Sequence, residues 1–302
     1  MVKEKYLEKI KEFGIDPNDL IKLDEKSFSY IFKTSEDKAK EILTDLLENW
    51  YKHSGFKTGL EIQEEANYLP SVFPTINQKM NGFKLGTLVQ FYGPYASGKT
   101  NIMLTHVAEY LKLGIVYWID SEQTFEIKRL KEIMKNRGID EKFLENFKYL
   151  YAPNTNMMEL GVFKFFEDAL KQKAEGKNVI GLFIDSLLAP YRSEYIGVEE
   201  LAVRQQRINW LLRHLLRFAE ITKTIVMFSN QVVATIGKYT EFAPIGGHVT
   251  AHSSTYIFRI TKAGKYRKMV AEDIPYTEQF VINFKISEKG VEEVEKLENS
   301  EQ

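Results

Sequence analysis

The pattern of apolar positions divides the chain into two parts. In residues 1–50, apolar side chains recur at helical spacing, as at Leu7, Ile10 and Phe13, which predicts a small unit of short helices. From about residue 70, continuous apolar runs alternate with stretches of helical periodicity. The runs cover residues 88–92, 115–119, 179–184 and 225–229. The helical stretches cover residues 100–112, 126–137, 157–174 and 199–221.

This alternation predicts an α/β fold. Strands that are buried on both faces of a sheet read as unbroken apolar runs, so we expect a mostly parallel, twisted sheet flanked by helices. Residues 255–260 and 280–286 resemble further strands that close the sheet antiparallel, and the charged tail after Val291 is expected to fray. The predicted organisation is a helical domain at residues 1–50, a linker at 51–68 and an α/β core at 69–302.

A phosphate-binding loop follows the first apolar run. Its residues are Gly93, Pro94, Tyr95, Ala96, Ser97, Gly98, Lys99 and Thr100. The segment lies between a predicted strand and a predicted helix, which is the context that this motif requires. The glycines let backbone N–H groups surround phosphate oxygens, and the helix N-terminus favours negative charge. Lys99 is expected to reach the β- and γ-phosphates of ATP, and the Thr100 hydroxyl to bind Mg²⁺.

Acidic and amide side chains follow three other apolar runs. Asp185 ends the run at 179–184, where P-loop proteins place an aspartate that holds Mg²⁺ through water. Asp120 and Glu122 follow the run at 115–119; either side chain suits a base that orients the attacking water, and either suits a cap of the next helix. Gln231 follows the run at 225–229 at the same edge, where an amide can sense the γ-phosphate or simply end a strand.

Composition and charge narrow the class of protein. Of the 302 residues, 44% are hydrophobic and 27% charged, which suits a globular protein with a sizeable core. The net charge of −1 means that any DNA site must be a local basic patch. The absence of cysteine excludes disulfides and thiolate metal sites. No apolar run reaches the length of a membrane span and residues 1–10 alternate in charge, so a cytoplasmic, nucleoid-associated protein without a membrane partner is expected.

Four segments together resemble the archaeal RadA and eukaryotic branch of the RecA-like recombinases. Residues 118–125 (WIDSEQTF) are similar to that family's YIDTEGTF, and residues 185–206 (DSLLAPYRSEYIGVEELAVRQQ) to its DSLTxxFRxEYxGRGxLAxRQQ. Residues 230–232 match NQV, and residues 244–252 resemble PxGGxxxxH. The resemblance covers nearly the whole chain. It implies a RecA-like P-loop ATPase core with a small N-terminal helical domain.

The resemblance also implies an ATPase site that is shared between subunits. Glu122 matches the family's catalytic glutamate, which decides between it and Asp120, and Gln231 matches the glutamine that senses the γ-phosphate. Arg129 matches an arginine that packs on adenine. Asp273 and Pro275 resemble a cap over the neighbouring subunit's nucleotide, and His252 matches a histidine that senses ATP across the interface. The implied activity is DNA-dependent hydrolysis of ATP with Mg²⁺.

Two segments correspond to the family's DNA-facing loops, at about 191–200 and 232–247. The DNA-contacting candidates in and beside them are Arg192, Arg204, Ile236, Lys238, Tyr239, Gly246 and Gly247. Lys238 and Tyr239 match no family position; a lysine suits a phosphate contact and a tyrosine suits stacking on a base. Residues 55–59 (GFKTG) resemble a linker motif whose aromatic residue inserts into the next subunit, which makes Phe56 and Gly59 interface candidates.

Departures from the family pattern keep three functions open. Gly59 stands where the family has alanine, and Val198, Glu199 and Glu200 stand where its first loop has an arginine that flanks glycine. The first hypothesis is a recombinase that forms filaments or rings of its own copies on single- and double-stranded DNA. The second is a paralog that regulates another, true recombinase. The third is a P-loop ATPase unrelated to DNA, which an absence of single-stranded DNA binding at low salt would favour.

Overall fold

The computed structural model describes residues 10, 13–56, 58–61, 67–235 and 241–294. The described part of the N-terminal region is helical, as the apolar spacing predicted, and includes α1 (Pro17–Leu20), α2 (Glu25–Phe32) and α3 (Glu36–His53). Each helix begins after a side chain that accepts a hydrogen bond from a backbone N–H of its first turn; the capping residues are Asp16, Asp24 and Ser35. The third helix extends three residues into the segment that was expected to be a linker.

The rest of the described chain alternates between helices and strands. The further helices are α4 (Pro74–Met80), α5 (Lys99–Tyr110), α6 (Ile127–Asn136), α7 (Thr155–Ala174), α8 (Ala189–Glu194), α9 (Leu201–Thr222) and α10 (Gly247–Ser253), with a 3-10 turn at Glu141–Asn146. The strands are β1 (Tyr68–Leu69), β2 (Phe83–Lys84), β3 (Thr87–Tyr92), β4 (Ile115–Asp120), β5 (Phe147–Tyr151), β6 (Val179–Asp185), β7 (Ile225–Asn230), β8 (Val232–Thr235), β9 (Glu241–Pro244), β10 (Tyr256–Ala263), β11 (Tyr266–Asp273), β12 (Phe280–Ser287) and β13 (Gly290–Val294).

One large sheet organises the core. Within the described residues it has nine strands in the order β13-β12-β11-β10-β3-β7-β6-β4-β5. The six strands from β10 to β5 are parallel, and β11, β12 and β13 add antiparallel at one end. The predicted α/β sheet, with its antiparallel closure, is therefore confirmed. The expectation that the chain frays after Val291 is wrong for residues 291–294, because they pair with β12.

The central strands are buried on both faces. Neighbouring residues of a strand point to opposite faces of the sheet, so Leu182 and Ile184 join one hydrophobic cluster while Phe183 joins the other. Helices α7 and α9 cover the first face, and α4, α5 and α6 cover the second. This two-sided burial explains why the core strands appear in the sequence as unbroken apolar runs.

The N-terminal helices pack on the first of these faces. The Tyr30 ring lies 4.8 Å from that of Phe163 on α7. His214 Nε2 on α9 lies 2.8 Å from Asp24 Oδ2. Although partial burial raises the pKa of the Asp24 carboxyl, His214 and the Ser27 N–H lower it by more, so that it lies below its usual range. The helical unit is thus anchored to the sheet by apolar and charged contacts. Among the helices of the described residues, none has the length and apolarity to cross a membrane.

Candidate functional site

The loop after β3 has a backbone that few side chains permit. Gly98 has φ +106° and Ala96 has φ +56°, both in the left-handed region. A Cβ on Gly93 would stand 2.2 Å from the Ile260 carbonyl oxygen, so glycine is required there. Helix α5 begins at Lys99, directly after the loop. The loop therefore presents backbone N–H groups and a helix N-terminus at the carboxyl edge of the sheet, as an anion site requires.

Lys99 and Thr100 lie on the first turn of α5. The Lys99 ammonium donates hydrogen bonds to the carbonyl oxygens of Gly93 at 2.9 Å and Pro94 at 3.0 Å, and partial burial lowers its pKa. The Thr100 hydroxyl donates to Asp185 Oδ2 at 2.6 Å. A hydroxyl and a carboxylate thus meet at the end of the loop, which is a donor set that Mg²⁺ accepts.

Asp185 ends β6 beneath this loop. Its second oxygen accepts a hydrogen bond from Ser229 at the end of β7, and burial raises the pKa of the carboxyl above its ordinary value. Ser229 was not singled out in the sequence, although it ends the apolar run next to Gln231. The residues present fit a Mg²⁺-bound nucleotide, since the loop leaves no room for a side chain at Gly93 while Thr100 and Asp185 supply oxygen ligands.

Asp120 and Glu122 have different surroundings. The Asp120 side chain is buried and accepts backbone hydrogen bonds from Glu122 at 3.0 Å and Phe125 at 3.0 Å. It therefore stabilises the turn after β4. Glu122 extends from that turn towards solvent; its partial burial, and then the negative charge of Asp185, raise the pKa of its carboxyl. Of the two candidates for a base, only Glu122 has a carboxylate that faces the open edge of the sheet.

Gln231 connects Glu122 with the first DNA-loop candidate. Its amide Nε2 donates to Glu122 Oε1 at 2.9 Å, and its Oε1 accepts from Arg192 Nη1 at 2.9 Å. Arg192 lies on α8, which follows β6, and its side chain is exposed. The ends of β4, β6 and β7 thus bring a carboxylate, a guanidinium and an amide together.

Arg129 lies beside the first turn of α5. Its guanidinium donates to Asn101 Oδ1 at 2.9 Å and to the Ser287 carbonyl oxygen at 2.6 Å. It joins α6, α5 and the end of β12 around the loop. Tyr95, in the loop itself, is almost fully exposed at 91%.

The two cap candidates, Asp273 and Pro275, lie towards the amino-terminal ends of the parallel strands, opposite to the P-loop. Asp273 pairs with Ile257 on β10, whose partner on β3 is Gln90, and the chain then continues away from the P-loop to the exposed Pro275. Pro275 borders a cavity with Lys84 and Thr87, which precede and begin β3. The P-loop follows Tyr92 at the opposite end of that strand, roughly 17 Å away along the strand axis. The chain's own loop and cap do not meet.

The remaining DNA-loop candidates divide into three groups. Arg204 lies under the first loop, half-buried, and donates to the Tyr195 carbonyl oxygen at 3.3 Å. Gly246 has φ +88°, and a Cβ there would stand 2.6 Å from Thr250, so this glycine serves the turn that begins α10, where Gly247 is the first residue and His252 is exposed near the end. Ile236, Lys238 and Tyr239 lie outside the described residues.

The linker exposes an aromatic side chain, and the edge of the sheet holds an apolar pocket. Phe56 is fully exposed at 109%, and Gly59 is exposed. On the outermost parallel strand, β5, a cavity of about 180 Å³ opens between the strand and α7. Its walls include Tyr117, Ile119, Leu150, Gly161 and Phe165, with the Lys148–Asp168 ion pair at the side.

Sequence comparison links the chain to known proteins. A family model described as Rad51 matches residues 75–294, which include the P-loop and every strand of the large sheet. The DNA repair and recombination protein RadA of Methanococcus voltae is 30% identical over 265 residues, covering 79% of this chain and 81% of that protein.

Proposed function

The chain belongs to the Rad51 family, and from that membership we propose that it is an ATP-dependent DNA strand-exchange recombinase that assembles into helical filaments on single-stranded DNA. Membership of this family makes the chain a RecA-like protein of DNA recombination and repair that binds ATP and DNA. One observation supports the finer proposal: at the carboxyl edge of the sheet, the P-loop residue Thr100 bonds to Asp185, and at the same edge Gln231 joins Glu122 to the candidate DNA-loop residue Arg192.

The nucleotide supplies the phosphoanhydride bond to be hydrolysed, and its Mg²⁺ offsets the negative charge of the phosphates. In the proposed site, residues 93–98 surround the phosphates with backbone N–H groups. Lys99 exchanges its two carbonyl contacts for phosphate oxygens, a stronger, charge-assisted pairing. Thr100 and Asp185 hold the metal ion. Arg129 forms the wall beside the loop and packs on the base.

Glu122 and Gln231 are proposed to carry the hydrolytic step. Glu122 orients the attacking water and takes its proton, since its carboxylate is the acidic group that faces the open edge. Gln231 lies beside it and contacts the γ-phosphate through its amide. Asp120 keeps the turn in place by binding backbone N–H groups, and it does not enter the reaction.

We propose that the complete site is formed by two copies. Asp273 and Pro275 lie towards the edge opposite to the chain's own P-loop, so they reach only a nucleotide that another copy holds. Such a contact joins different surfaces of the two copies, so it repeats into an open helix or a ring rather than closing a twofold dimer. His252 is proposed to contact ATP across the same interface.

Phe56 is the proposed anchor between copies. A fully exposed phenylalanine gains from burial, and the cavity on β5 has apolar walls from both a strand and a helix. The outer edge of β5 has no strand partner among the described residues, so a neighbouring linker can add a short strand beside it. Gly59 takes the small-residue position of the same linker.

Electron microscopy with single-stranded DNA tests the recombinase proposal. Unmodified protein with ATP and Mg²⁺ is expected to form regular filaments on the DNA, and protein with ADP is expected to form fewer and shorter ones. A strand-exchange assay on the same sample should give joint molecules between a circular single strand and a homologous duplex. Single, unassembled subunits under saturating ATP with DNA present would contradict the proposal.

A second function has one specific feature in its favour: the first loop is acidic. Glu200 accepts a backbone hydrogen bond from Ile196 at 3.1 Å and thereby shapes the loop, and Glu199 lies beside it. These carboxylates weaken phosphate contacts, as expected of a paralog that binds and regulates another recombinase. Assembly only in the presence of a partner recombinase, without joint molecules from the chain alone, would select this function.

A further inference from the structure

We infer that Arg192 is a positioning residue that restrains Glu122 through Gln231, and that a DNA phosphate lifts the restraint by taking Arg192 away. The inference rests on the proposed function, because it requires ATP hydrolysis and DNA binding in one molecule. It adds to that function a physical reason for hydrolysis to depend on DNA.

The chemistry of the three side chains fixes the direction of the two hydrogen bonds. A guanidinium only donates hydrogen bonds and an ionised carboxylate only accepts them. An amide placed between the two must turn its oxygen to Arg192 and its NH₂ group to Glu122, as found at 2.9 Å on each side. Arg192 therefore sets the orientation of the Gln231 amide, although it does not touch Glu122.

This orientation occupies the carboxylate that the hydrolytic step needs. Gln231 donates a hydrogen bond to Glu122 Oε1. A general base must direct a free lone pair at the water that it activates. The γ-phosphate contact of Gln231 is likewise withheld while its NH₂ group faces Glu122. The hydrogen-bonded group thus describes a state in which both residues are held back from the reaction.

Among the arginines in and beside the first loop, Arg192 can exchange its present partner for a DNA phosphate with the smallest loss of other contacts. Among the described residues, its guanidinium has one partner, the neutral amide oxygen of Gln231. Arg204 supports a loop carbonyl oxygen, and Arg207 pairs with Glu159. A phosphate carries a negative charge and often accepts two parallel hydrogen bonds from a guanidinium, so it is a stronger partner for Arg192 than one neutral amide oxygen. A DNA backbone that reaches the exposed Arg192 therefore displaces Gln231 as its partner.

Steady-state ATP hydrolysis with and without a thymidine oligonucleotide tests the inference. Arg192→Gln is expected to raise the DNA-free kcat about three- to ten-fold with KM for ATP unchanged, since one solvent-exposed hydrogen bond is removed. The stimulation by DNA should fall by the same factor. Arg192→Lys keeps a donor and a charge, so its DNA-free rate should lie below that of Arg192→Gln. Arg213→Gln removes an equal charge from an exposed position on α9 and should change neither rate.

The outcomes separate this inference from the proposed function. If Arg192→Gln leaves the DNA-free rate unchanged or lowers it while the unmodified protein is stimulated by DNA, Arg192 is a DNA contact only and the inference is overturned. If the unmodified protein hydrolyses ATP at the same rate with and without DNA, the proposed DNA-dependent ATPase fails first. A rise for both Arg192→Gln and Arg213→Gln would show an effect of net charge, which also overturns the inference.

Discussion

Glu122 is the residue whose surroundings govern the chemistry of the proposed site. Desolvation of its carboxyl and then the negative charge of Asp185 raise its pKa above the usual 4.5, although the residue is exposed. A base must be ionised to accept a proton. We therefore expect kcat for ATP hydrolysis to fall as the pH drops through a value above 4.5, measured as a pH profile under saturating ATP and Mg²⁺.

The substitution Glu122→Gln tests the same role directly. Removing a general base lowers kcat by about 10²- to 10⁴-fold, and the amide should leave nucleotide affinity nearly unchanged. The acid limb of the pH profile should vanish with the carboxyl. An unaltered kcat in this variant would transfer the role to another group; Asp120, which is already engaged with backbone N–H groups, would need re-examination first.

Thr100 offers a second prediction at the scale of single residues. Thr100→Val keeps the shape of the side chain and removes the hydroxyl that bonds to Asp185 at 2.6 Å. The Mg²⁺ concentration for half-maximal hydrolysis should rise at least about ten-fold, because losing even a hydrogen-bond partner of a metal ligand typically costs one to two orders of magnitude in metal affinity. Thr100→Ser retains the hydroxyl and should behave as the unmodified protein. Equal Mg²⁺ requirements in both variants would remove Thr100 from the metal site.

At the scale of elements, helix α5 depends on a buried histidine. Burial lowers the pKa of His106 to about 4. Its ring accepts the Val72 N–H at 3.3 Å, lies 3.1 Å from the Ser71 hydroxyl, and contacts the Ile102 carbonyl oxygen at 2.9 Å. Glu109 and Arg137 act on it weakly and with opposite sign. The neutral ring thereby fixes the P-loop helix to the segment before α4.

This histidine predicts how stability changes with pH. Between pH 6.5 and 4, His106 binds a proton in the unfolded chain but stays neutral in the folded protein. Its contribution to the free energy of unfolding is therefore fully present above pH 6.5 and is lost as the pH falls towards 4. The loss amounts to about 3 kcal/mol of the free energy of unfolding. His106→Gln should be less stable at pH 7 but lose less on acidification, measured by urea unfolding at pH 7 and pH 5. Parallel losses in both proteins would contradict the assignment.

Elements also differ in how readily the sequence predicts them. The runs that became β3, β4, β6 and β7 are buried on both faces, so their composition alone identified them. Strand β11 (YRKMVAED) escaped prediction because it is half-exposed and alternates with charges, and β5 and β13 are the two edges of the sheet. The short hairpin of β8 and β9 lies inside a segment expected to be a loop.

The sequence also predicts those parts of the candidate site that lie in one segment or at the end of one strand, but not the contacts between distant segments. The phosphate loop, Thr100 and Asp185 follow from a local motif and from strand ends, which sequence order reveals. The contact between Arg192 and Gln231 joins residues 39 positions apart, and Ser229 reaches Asp185 over 44 positions. Such contacts depend on which strands are neighbours in the sheet, and this order is not written in any single segment.

At the scale of the whole molecule, assembly is expected to depend on the linker. Phe56→Ala removes a ring whose burial stabilises a contact by about 1.5–3 kcal/mol, so the association of copies should weaken about ten- to hundred-fold. Light scattering in the presence of ATP measures this change. Tyr51→Ala alters another exposed aromatic residue, at the end of α3, and should leave the size distribution unchanged. An unchanged size distribution for Phe56→Ala would exclude the linker as the anchor.

The placement of loop and cap at opposite edges of one sheet has a consequence for any row of such molecules. In the proposed assembly, each copy places its cap over the nucleotide of one neighbour and binds its own nucleotide under the cap of the other. A row of n copies would then contain n − 1 complete sites and two different ends. One terminus exposes a bare loop, and the other exposes a cap with nothing beneath it. Subunits should therefore be added and lost at different rates at the two ends of such an assembly. Short assemblies should hydrolyse less ATP per subunit than long ones.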